Sequence, residues 1–171
     1  MKFILRKWMM SDAPSLALYA NNRNIAQNLR DVFPYPYTLK DAQEFITEAL
    51  QSDISKNLLR AIEVNGKAVG SIGVFVKDDI YSKTAEIGYW LGEPFWGNGI
   101  VSRAIEEMSH TAFEQLDIVR LYAEPFAINH GSRRALEKAG YQLEGILSKN
   151  IFKLGEVLDS CIYAKLKEKE E

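Results

Sequence analysis

The sequence predicts a mixed α/β (α+β) fold, in which a mostly antiparallel sheet of about seven strands contains one parallel pair and carries helices on both faces. Apolar residues alternate in some segments and recur at helical spacing in others, in the order β, α, α, α, β, β, β, α, β, α, β, β. The strand–helix–strand unit from residue 84 to 126 predicts the parallel pair, as a right-handed crossover. The 171 residues show no composition break, which indicates a single domain over 1–171 with a short charged tail at about 167–171.

The first part of the chain is predicted to form a strand, two helices and a stiff loop. Residues 2–7 alternate as a strand, and Ser11 can cap a helix that reaches Tyr19. A second helix covers about residues 24–29. The aromatic segment 30–38 contains two prolines, which prevent a regular element there. Its aromatic side chains either line a ligand site or cover the edge of the core.

The middle of the chain is predicted to contain a helix and three strands. Thr38 and Asp41 form the pattern of a capping box, and apolar residues then recur at helical spacing as far as Leu50. Two apolar segments, 58–64 and 67–76, flank an Asn-Gly pair, which is the strongest short signal for a hairpin. The next strand is Thr84 to Leu91.

The last part of the chain alternates between helices and strands. Apolar residues from Ile100 to Ala112 predict a helix, and 118–126 predicts a strand. Asn129 can cap a helix that Gly140 ends. Segments 141–147 and 158–166 are the last predicted strands, with Gly155 in the turn between them.

Composition excludes several kinds of protein. The net charge of −2 gives no support for nucleic-acid binding, and no apolar run is long enough to span a bilayer. The single cysteine, Cys161, excludes an internal disulfide and a multi-cysteine metal site. We therefore expect a cytoplasmic protein that needs no metal and does not bind membranes.

A glycine-rich hinge precedes the central helix. Trp96-Gly97-Asn98-Gly99 joins a strand to a helix whose first backbone N–H groups are free to bind an anion. The glycines alone fit a simple strand-to-helix turn equally well. Pro125 cannot donate to a sheet ladder, and Pro94 lies in the break that follows the neighbouring strand. These residues predict a gap between the parallel strands, which suits a phosphate-bearing ligand with an extended amide arm.

Five motifs in this order resemble the GCN5-related N-acetyltransferases (the GNAT superfamily), and within them the Rim-type group of ribosomal-protein-alanine N-acetyltransferases. The motifs are L-R-K-W-M-M-S-D at Leu5–Asp12, P-Y-T-L-K-D-A at Pro36–Ala42, A-E-I-G-Y-W-L at Ala85–Leu91, P-F-W-G-N-G-I at Pro94–Ile100 and N-H-G-S-R-R-A-L-E-K-A-G-Y at Asn129–Tyr141. The resemblance covers nearly the whole chain. It implies an acyltransferase that uses acetyl-CoA as cosubstrate.

The resemblance also implies where acetyl-CoA binds. The family's pyrophosphate motif, Gln/Arg-x-x-Gly-x-Gly/Ala, falls on Trp96, Gly99 and Val101, and Val101 is bulkier than the family's small residue. The pattern Asn-x-x-Ser falls on Asn129 and Ser132. The cofactor-binding residues implied in this way are Leu91, Trp96, Gly97, Asn98, Gly99, Ile100, Val101, Asn129 and Ser132.

Acetyl transfer to an amine needs a base and a way to stabilise the leaving thiolate. Glu86 is the first candidate base, because it aligns with the glutamate of the family's A-E-I strand, and Glu124 on the adjacent strand is the second. Ser132 is the candidate group at the sulfur, since Glu137 stands where many relatives have a tyrosine. Asn129 and Ser132 also fit a plain helix cap.

The acceptor is expected to be a protein N-terminus or a small amine, such as a polyamine or an antibiotic. The candidate acceptor-binding residues are Phe33, Tyr35, Tyr37 and Trp90. A non-catalytic acyl-CoA-binding module is the alternative from another class. A homodimer is compatible with the sequence, which contains no signal that decides the oligomeric state.

Overall fold

The computed structural model describes residues 1–168 and contains one seven-stranded sheet. The strand order is β1-β2-β3-β4-β5-β7-β6, and β4 and β5 are the parallel pair while all other neighbours are antiparallel. The strands are β1 (Ile4–Arg6), β2 (Asn57–Val64), β3 (Lys67–Val76), β4 (Thr84–Leu91), β5 (Arg120–Ala123), β6 (Gln142–Lys153) and β7 (Glu156–Leu166). The predicted fold class is therefore confirmed.

Helices cover both faces of the sheet, as the element order predicts. They are α1 (Ala13–Ala20), α2 (Arg23–Ala26), α3 (Leu39–Gln51), α4 (Ile100–Gln115) and α5 (His130–Lys138). One core packs α1 and α3 through Leu16 and Ile46, and the other packs α4 and α5 through Met108 and Leu136. Alternation along β4 directs Ile87 into the second core and Trp90 against the first, so the strand contributes to both layers.

The sequence correctly predicts helix caps and turns whose residues lie close together in the chain. The Thr38 hydroxyl accepts from the Asp41 N–H at 3.2 Å, and the Asp41 carboxylate accepts from the Thr38 N–H at 2.7 Å. This is the predicted capping box at the start of α3. Asn65 and Gly66 both have positive φ, 51° and 78°, as a two-residue hairpin turn requires.

The start of α1 differs from the prediction. Ser11 does not cap it, because residues 10–12 form a 3-10 turn and the α-helix begins at Ala13. Asp12 is the organising residue there. Its carboxylate accepts from the Met9 N–H at 2.9 Å and from two Arg6 nitrogens at 2.8 Å each. A charge pair with β1 therefore determines where the helix begins.

Element lengths differ most near the end of the chain. β5 is much shorter than the predicted 118–126, because the backbone after it turns away from β4. The segment keeps contact with β7, where the Pro125 carbonyl accepts from the Cys161 N–H at 2.9 Å. The β6–β7 hairpin is longer than predicted and turns at Gly155, as expected. Residues 169–171 of the predicted charged tail lie outside the residues that the structure describes.

Two smaller findings complete the fold. Cys161 is fully buried in β7 as a free thiol. Between residues 1 and 168, none of the helices has both the length and the apolar character needed to cross a membrane.

Candidate active site

The parallel strands β4 and β5 separate partway along their length. Their register runs through three pairs, Thr84–Arg120, Ala85–Leu121 and Glu86–Tyr122, and then stops, although β4 continues to Leu91. On its other side β4 keeps an unbroken register with β3 as far as Leu91, so β4 has no bulge there. β4 is therefore a regular strand that borders an open gap beyond Glu86.

The gap is part of a cleft of about 1900 Å³ that runs between the two halves of the sheet. Its walls include the end of β4, the start of α4, the segment after β5, the start of α5 and the end of β6. An opening of this size exceeds that of a drug-sized pocket and suits a long ligand together with a second reactant.

The glycine hinge forms one end of the cleft. Gly97 and Gly99 have φ of 75° and 67°, and a Cβ on either glycine would meet nothing within 4 Å. The Trp96 indole N–H donates to the Leu91 carbonyl at 2.8 Å, and the Asn98 amide donates to two carbonyls of its own turn. These bonds fix the turn so that Gly99 precedes a 16-residue helix with its first N–H groups unused. The turn is a concave group of backbone donors, which fits a phosphate.

Arginines near this turn are mostly engaged elsewhere. Arg103 donates to the carbonyls of Gly99 and Met1 and lies over the Phe3 ring at 5.2 Å. Arg133 donates to the Ala127 carbonyl and to a tyrosine hydroxyl. Arg134 and Lys138 on α5 line the cleft and contribute positive charge to it.

Ser132 lies in the first turn of α5. The Asn129 side chain caps this helix by accepting from the Ser132 N–H at 3.2 Å. The Ser132 hydroxyl lies 2.7 Å from the Tyr89 hydroxyl, which reaches it from β4 across the gap. Burial raises the pKa of Tyr89 above its usual value, so the phenol keeps its proton.

Glu86 has both carboxylate oxygens engaged. Oε1 forms an ion pair with Arg30, and Oε2 accepts from the Tyr122 hydroxyl at 3.3 Å. The Glu86 side chain is only 18% exposed. Glu86 therefore ties the loop that contains Arg30 to the sheet.

Glu124 has a different environment. Its Oε1 accepts from the Ser160 hydroxyl at 2.8 Å and from the Asn150 amide at 2.9 Å. Within residues 1–168 its Oε2 has no hydrogen bond and no cation pairs with it, while the residue lines the cleft. Asn150 reaches this position because the β6–β7 register shifts between Leu147 and Ile151. Of the two candidate carboxylates, Glu124 is the one with a free oxygen.

The family profile described as "Acetyltransferase (GNAT) domain" matches residues 2–142. The chain belongs to the GNAT acetyltransferase family. Members are N-acetyltransferases with acetyl-CoA as cosubstrate, and the fold, the open gap and the glycine turn agree with that assignment.

Individual GNAT relatives are of moderate similarity. The probable N-acetyltransferase YjcK of Bacillus subtilis is 30% identical over 141 residues, which cover 80% of this chain and 78% of YjcK. The ribosomal-protein-serine acetyltransferase of Escherichia coli is 33% identical over 97 residues, 56% of this chain and 54% of that protein. The solved structure of the microcin C7 self-immunity acetyltransferase MccE, in complex with acetyl-CoA and AMP, has a TM-score of 0.84 at 27% identity and covers 97% of this chain and 93% of MccE.

Aromatic residues line the part of the cleft where the sequence predicts that the acceptor binds. Phe33 lies 5.1 Å from Tyr37 and 5.9 Å from Trp90, measured between ring centroids, and all three line the cleft. Burial, with the charges of Asp41 and Glu48, raises the pKa of Tyr37 to about 12.

Two predicted site residues lie apart from the cleft wall. Tyr35 is 54% exposed and points elsewhere, although it belongs to the same loop as Phe33. Asn98 shapes the glycine turn through its own hydrogen bonds and does not line the cleft. The other predicted cofactor and acceptor residues lie on the cleft wall, namely Leu91, Trp96, Gly97, Gly99, Ile100, Val101, Asn129, Ser132, Phe33, Tyr37 and Trp90.

Four residues that hydrogen-bond to candidate site residues were not identified from the sequence. Strand alternation puts Tyr89 on the face opposite Glu86, and this is the sequence signal that could have found it. Arg30 is 56 residues from its partner Glu86. Asn150 and Ser160 reach Glu124 only through the β6–β7 hairpin, which no local pattern connects to β5.

The loop around Phe33 is attached to the sheet at two points. Arg30 pairs with Glu86 on β4, and Asp31 accepts from Lys153 on β6 at 2.7 Å. The Lys153 side chain is 9% exposed. The loop lines part of the cleft, and both of its first two charges are therefore paired with the sheet.

Proposed function

We propose that this protein transfers the acetyl group of acetyl-CoA to a primary amine by direct attack within a ternary complex. One observation carries the proposal: a carboxylate with a free oxygen, Glu124, and a hydroxyl, Ser132, line the gap that the glycine turn borders. The gap supplies room for the two reactants to meet, so that no covalent intermediate on the protein is needed.

The binding residues follow from the cleft wall. The free N–H groups after Gly99, together with Arg134 and Lys138, would hold the phosphates of acetyl-CoA. The unpaired backbone of β4 beyond Glu86 would bind the amide arm as a further strand binds a sheet edge. Acetyl-CoA supplies an activated acetyl carbonyl and a thiolate leaving group.

The chemistry assigned to the protein is proton removal and charge stabilisation. An amine attacks only when neutral, and the pKa values of α-amino groups and lysine, near 8 and 10.4, keep most of it protonated at neutral pH. Glu124 Oε2 takes that proton, directly or through a water, while its Oε1 remains held by Ser160 and Asn150. The Ser132 hydroxyl donates to the sulfur as the carbon–sulfur bond breaks.

A protein N-terminus is the acceptor that we favour. The similarity to a ribosomal-protein-serine acetyltransferase supports it, and the open aromatic wall of Phe33, Tyr37 and Trp90 leaves room for a peptide. A small cationic amine is the second candidate, because Asp41, Glu44 and Glu48 line the cleft next to this wall.

The experiment is acetyl-CoA turnover with a panel of N-terminal peptides and polyamines, using the wild type, Glu124→Gln and Glu86→Gln. We expect Glu124→Gln to lower kcat about 100-fold or more without changing the affinity for acetyl-CoA. Glu86→Gln should instead raise the KM of the acceptor, because it releases Arg30 and loosens the loop.

The reverse result, a large loss of kcat in Glu86→Gln and an active Glu124→Gln, would assign the base to Glu86. Tight acetyl-CoA binding with no acetylated product across the whole panel would favour a binding module without catalysis.

A further inference from the structure

Tyr89 is a half-buried ionisable group of the cleft that the proposed function leaves without a role. It lies on β4, where its backbone registers with Ile72 of β3, and its hydroxyl reaches the Ser132 hydroxyl at 2.7 Å. A separation of 2.7 Å is a normal hydrogen bond between two hydroxyl groups. The bond joins the two sides of the gap just where the strands have separated.

The direction of this bond follows from the chemistry of the two hydroxyls. A phenol is much more acidic than an aliphatic alcohol, so it is the better donor, and the alcohol oxygen is the better acceptor. Because burial raises the pKa of Tyr89, its proton stays in place at neutral pH. Tyr89 is therefore the donor and Ser132 the acceptor.

A serine hydroxyl has a single proton, so it can donate a hydrogen bond to only one group at a time. If Ser132 donated to Tyr89, it would have nothing to offer the cleft. With Tyr89 as donor, the Ser132 proton is free to point into the cleft, which both residues line. The Ser132 backbone N–H is held separately by Asn129 at 3.2 Å, so the side chain turns about a fixed backbone.

We infer that Tyr89 is a positioning residue: its hydroxyl donates to Ser132 and thereby directs the Ser132 proton toward the sulfur of the leaving group. This inference rests on the proposed function of Ser132. The electron pair of the broken carbon–sulfur bond stays on sulfur, and Ser132 stabilises it by a hydrogen bond without giving up its proton. Glu124 passes the ammonium proton to water before attack and then accepts the second proton that the amine nitrogen loses as the amide forms, so the reaction balances without a change in Tyr89.

The chain contains a matched control for this pair. Tyr141 and Ser109 lie 2.8 Å apart, and burial raises the pKa of Tyr141 as it does that of Tyr89. Neither Tyr141 nor Ser109 lines the cleft. The Tyr141→Phe substitution therefore removes the same kind of hydrogen bond from the core and leaves the residues that line the cleft unchanged.

The first test compares Tyr89→Phe, Ser132→Ala, the double variant and Tyr141→Phe in steady-state kinetics. Tyr89→Phe should lower kcat about tenfold and leave the KM of acetyl-CoA within about twofold, as expected for loss of one oriented hydrogen bond. The double variant should be no slower than Ser132→Ala alone, because Tyr89 acts only through Ser132. Tyr141→Phe should keep the wild-type kcat and have a lower Tm.

The second test measures affinity and needs no turnover. CoA should bind about fivefold more tightly than desulfo-CoA, which lacks the sulfur, and this preference should vanish in both Ser132→Ala and Tyr89→Phe. Tyr141→Phe should retain it.

Several results would overturn the inference. One is a Tyr89→Phe variant with wild-type kcat beside a slow Ser132→Ala; this leaves the proposed function intact. Another is a further tenfold loss in the double variant, which would give Tyr89 an independent role. A fully active Ser132→Ala, with unchanged preference for CoA over desulfo-CoA, refutes the role of Ser132 itself and that of Tyr89 with it.

Discussion

Gly99 is the residue on which the proposed phosphate site depends most directly. Its φ of 67° lies in the left-handed region, a Cβ there would meet no atom within 4 Å, and the residue lines the cleft. A side chain at this position would thus reach the place where the free N–H groups of α4 can bind an anion. The left-handed backbone conformation and the access of a phosphate to these N–H groups therefore both favour glycine at this position.

Gly99→Glu should abolish acetyl-CoA binding, because the added carboxylate brings bulk and negative charge to the phosphate site. Isothermal titration measures the affinity directly. Gly155→Glu is the matched control, since Gly155 has φ of 79°, equally open surroundings and a position in the β6–β7 turn outside the cleft. Unchanged affinity in Gly99→Glu would place the phosphates elsewhere.

At the scale of elements, α3 is the helix next to the proposed acceptor side of the cleft. It begins directly after the aromatic loop, and its capping box joins Thr38 and Asp41 through three hydrogen bonds. These bonds lower the pKa of Asp41 below its usual value. The cap therefore fixes where the loop ends. It also fixes the positions of Tyr37, just before the helix, and of Phe45, within it, both of which line the cleft.

Thr38→Ala should lower the free energy of unfolding by about 1 kcal/mol, because it removes the side chain that caps α3. Urea denaturation followed by circular dichroism measures the change. Thr47→Ala is the control: Thr47 is an exposed residue within the same helix that bonds back to the Gln43 carbonyl, so its loss should change stability very little. Equal effects at the two positions would argue against the cap.

At the scale of the whole molecule, buried phenols make stability depend on alkaline pH. Burial is the first cause that raises the pKa of Tyr37, Tyr89 and Tyr141, to about 12 in the case of Tyr37. A raised pKa means that the folded state holds its proton where the unfolded state has lost it. The contribution is therefore complete below about pH 10 and decreases as pH rises from there toward the folded-state pKa.

We expect the free energy of unfolding to fall above about pH 10, with each buried tyrosine contributing up to about 1.4 kcal/mol per pH unit. Urea denaturation between pH 8 and 11 measures the slope. Tyr141→Phe should make the slope shallower, while Tyr81→Phe, which changes an exposed tyrosine, should leave it unchanged. A slope that is equal in wild type and Tyr141→Phe would contradict the assignment.

The fold could be predicted further than the site, for a physical reason. Strands, hairpin turns and caps depend on residues a few positions apart, as Asn65-Gly66 and the Thr38–Asp41 box show. The ranking of Glu86 above Glu124 depended on neighbours that the sequence does not place.

Those neighbours come from distant parts of the chain. Arg30 occupies Glu86 from 56 residues away, and Ser160 lies 36 residues from Glu124. Only the assembled sheet tells an engaged carboxylate from a free one. The same holds for Ser11, whose local signal as a cap lost to the pair of Asp12 with Arg6 on β1.

The short register of β4 and β5 also has a consequence for how long the protein survives. Among residues 1–168, three residue pairs hold β4 and β5 in register, as few as hold β1 to β2, so this seam is one of the places where the sheet can open. A ligand that binds only the folded state stabilises it by about 2.7 kcal/mol at one hundred times its dissociation constant. Acetyl-CoA lying across the seam would protect β4 and β5 from proteases, and the supply of cosubstrate would then govern the abundance of the protein as well as its turnover.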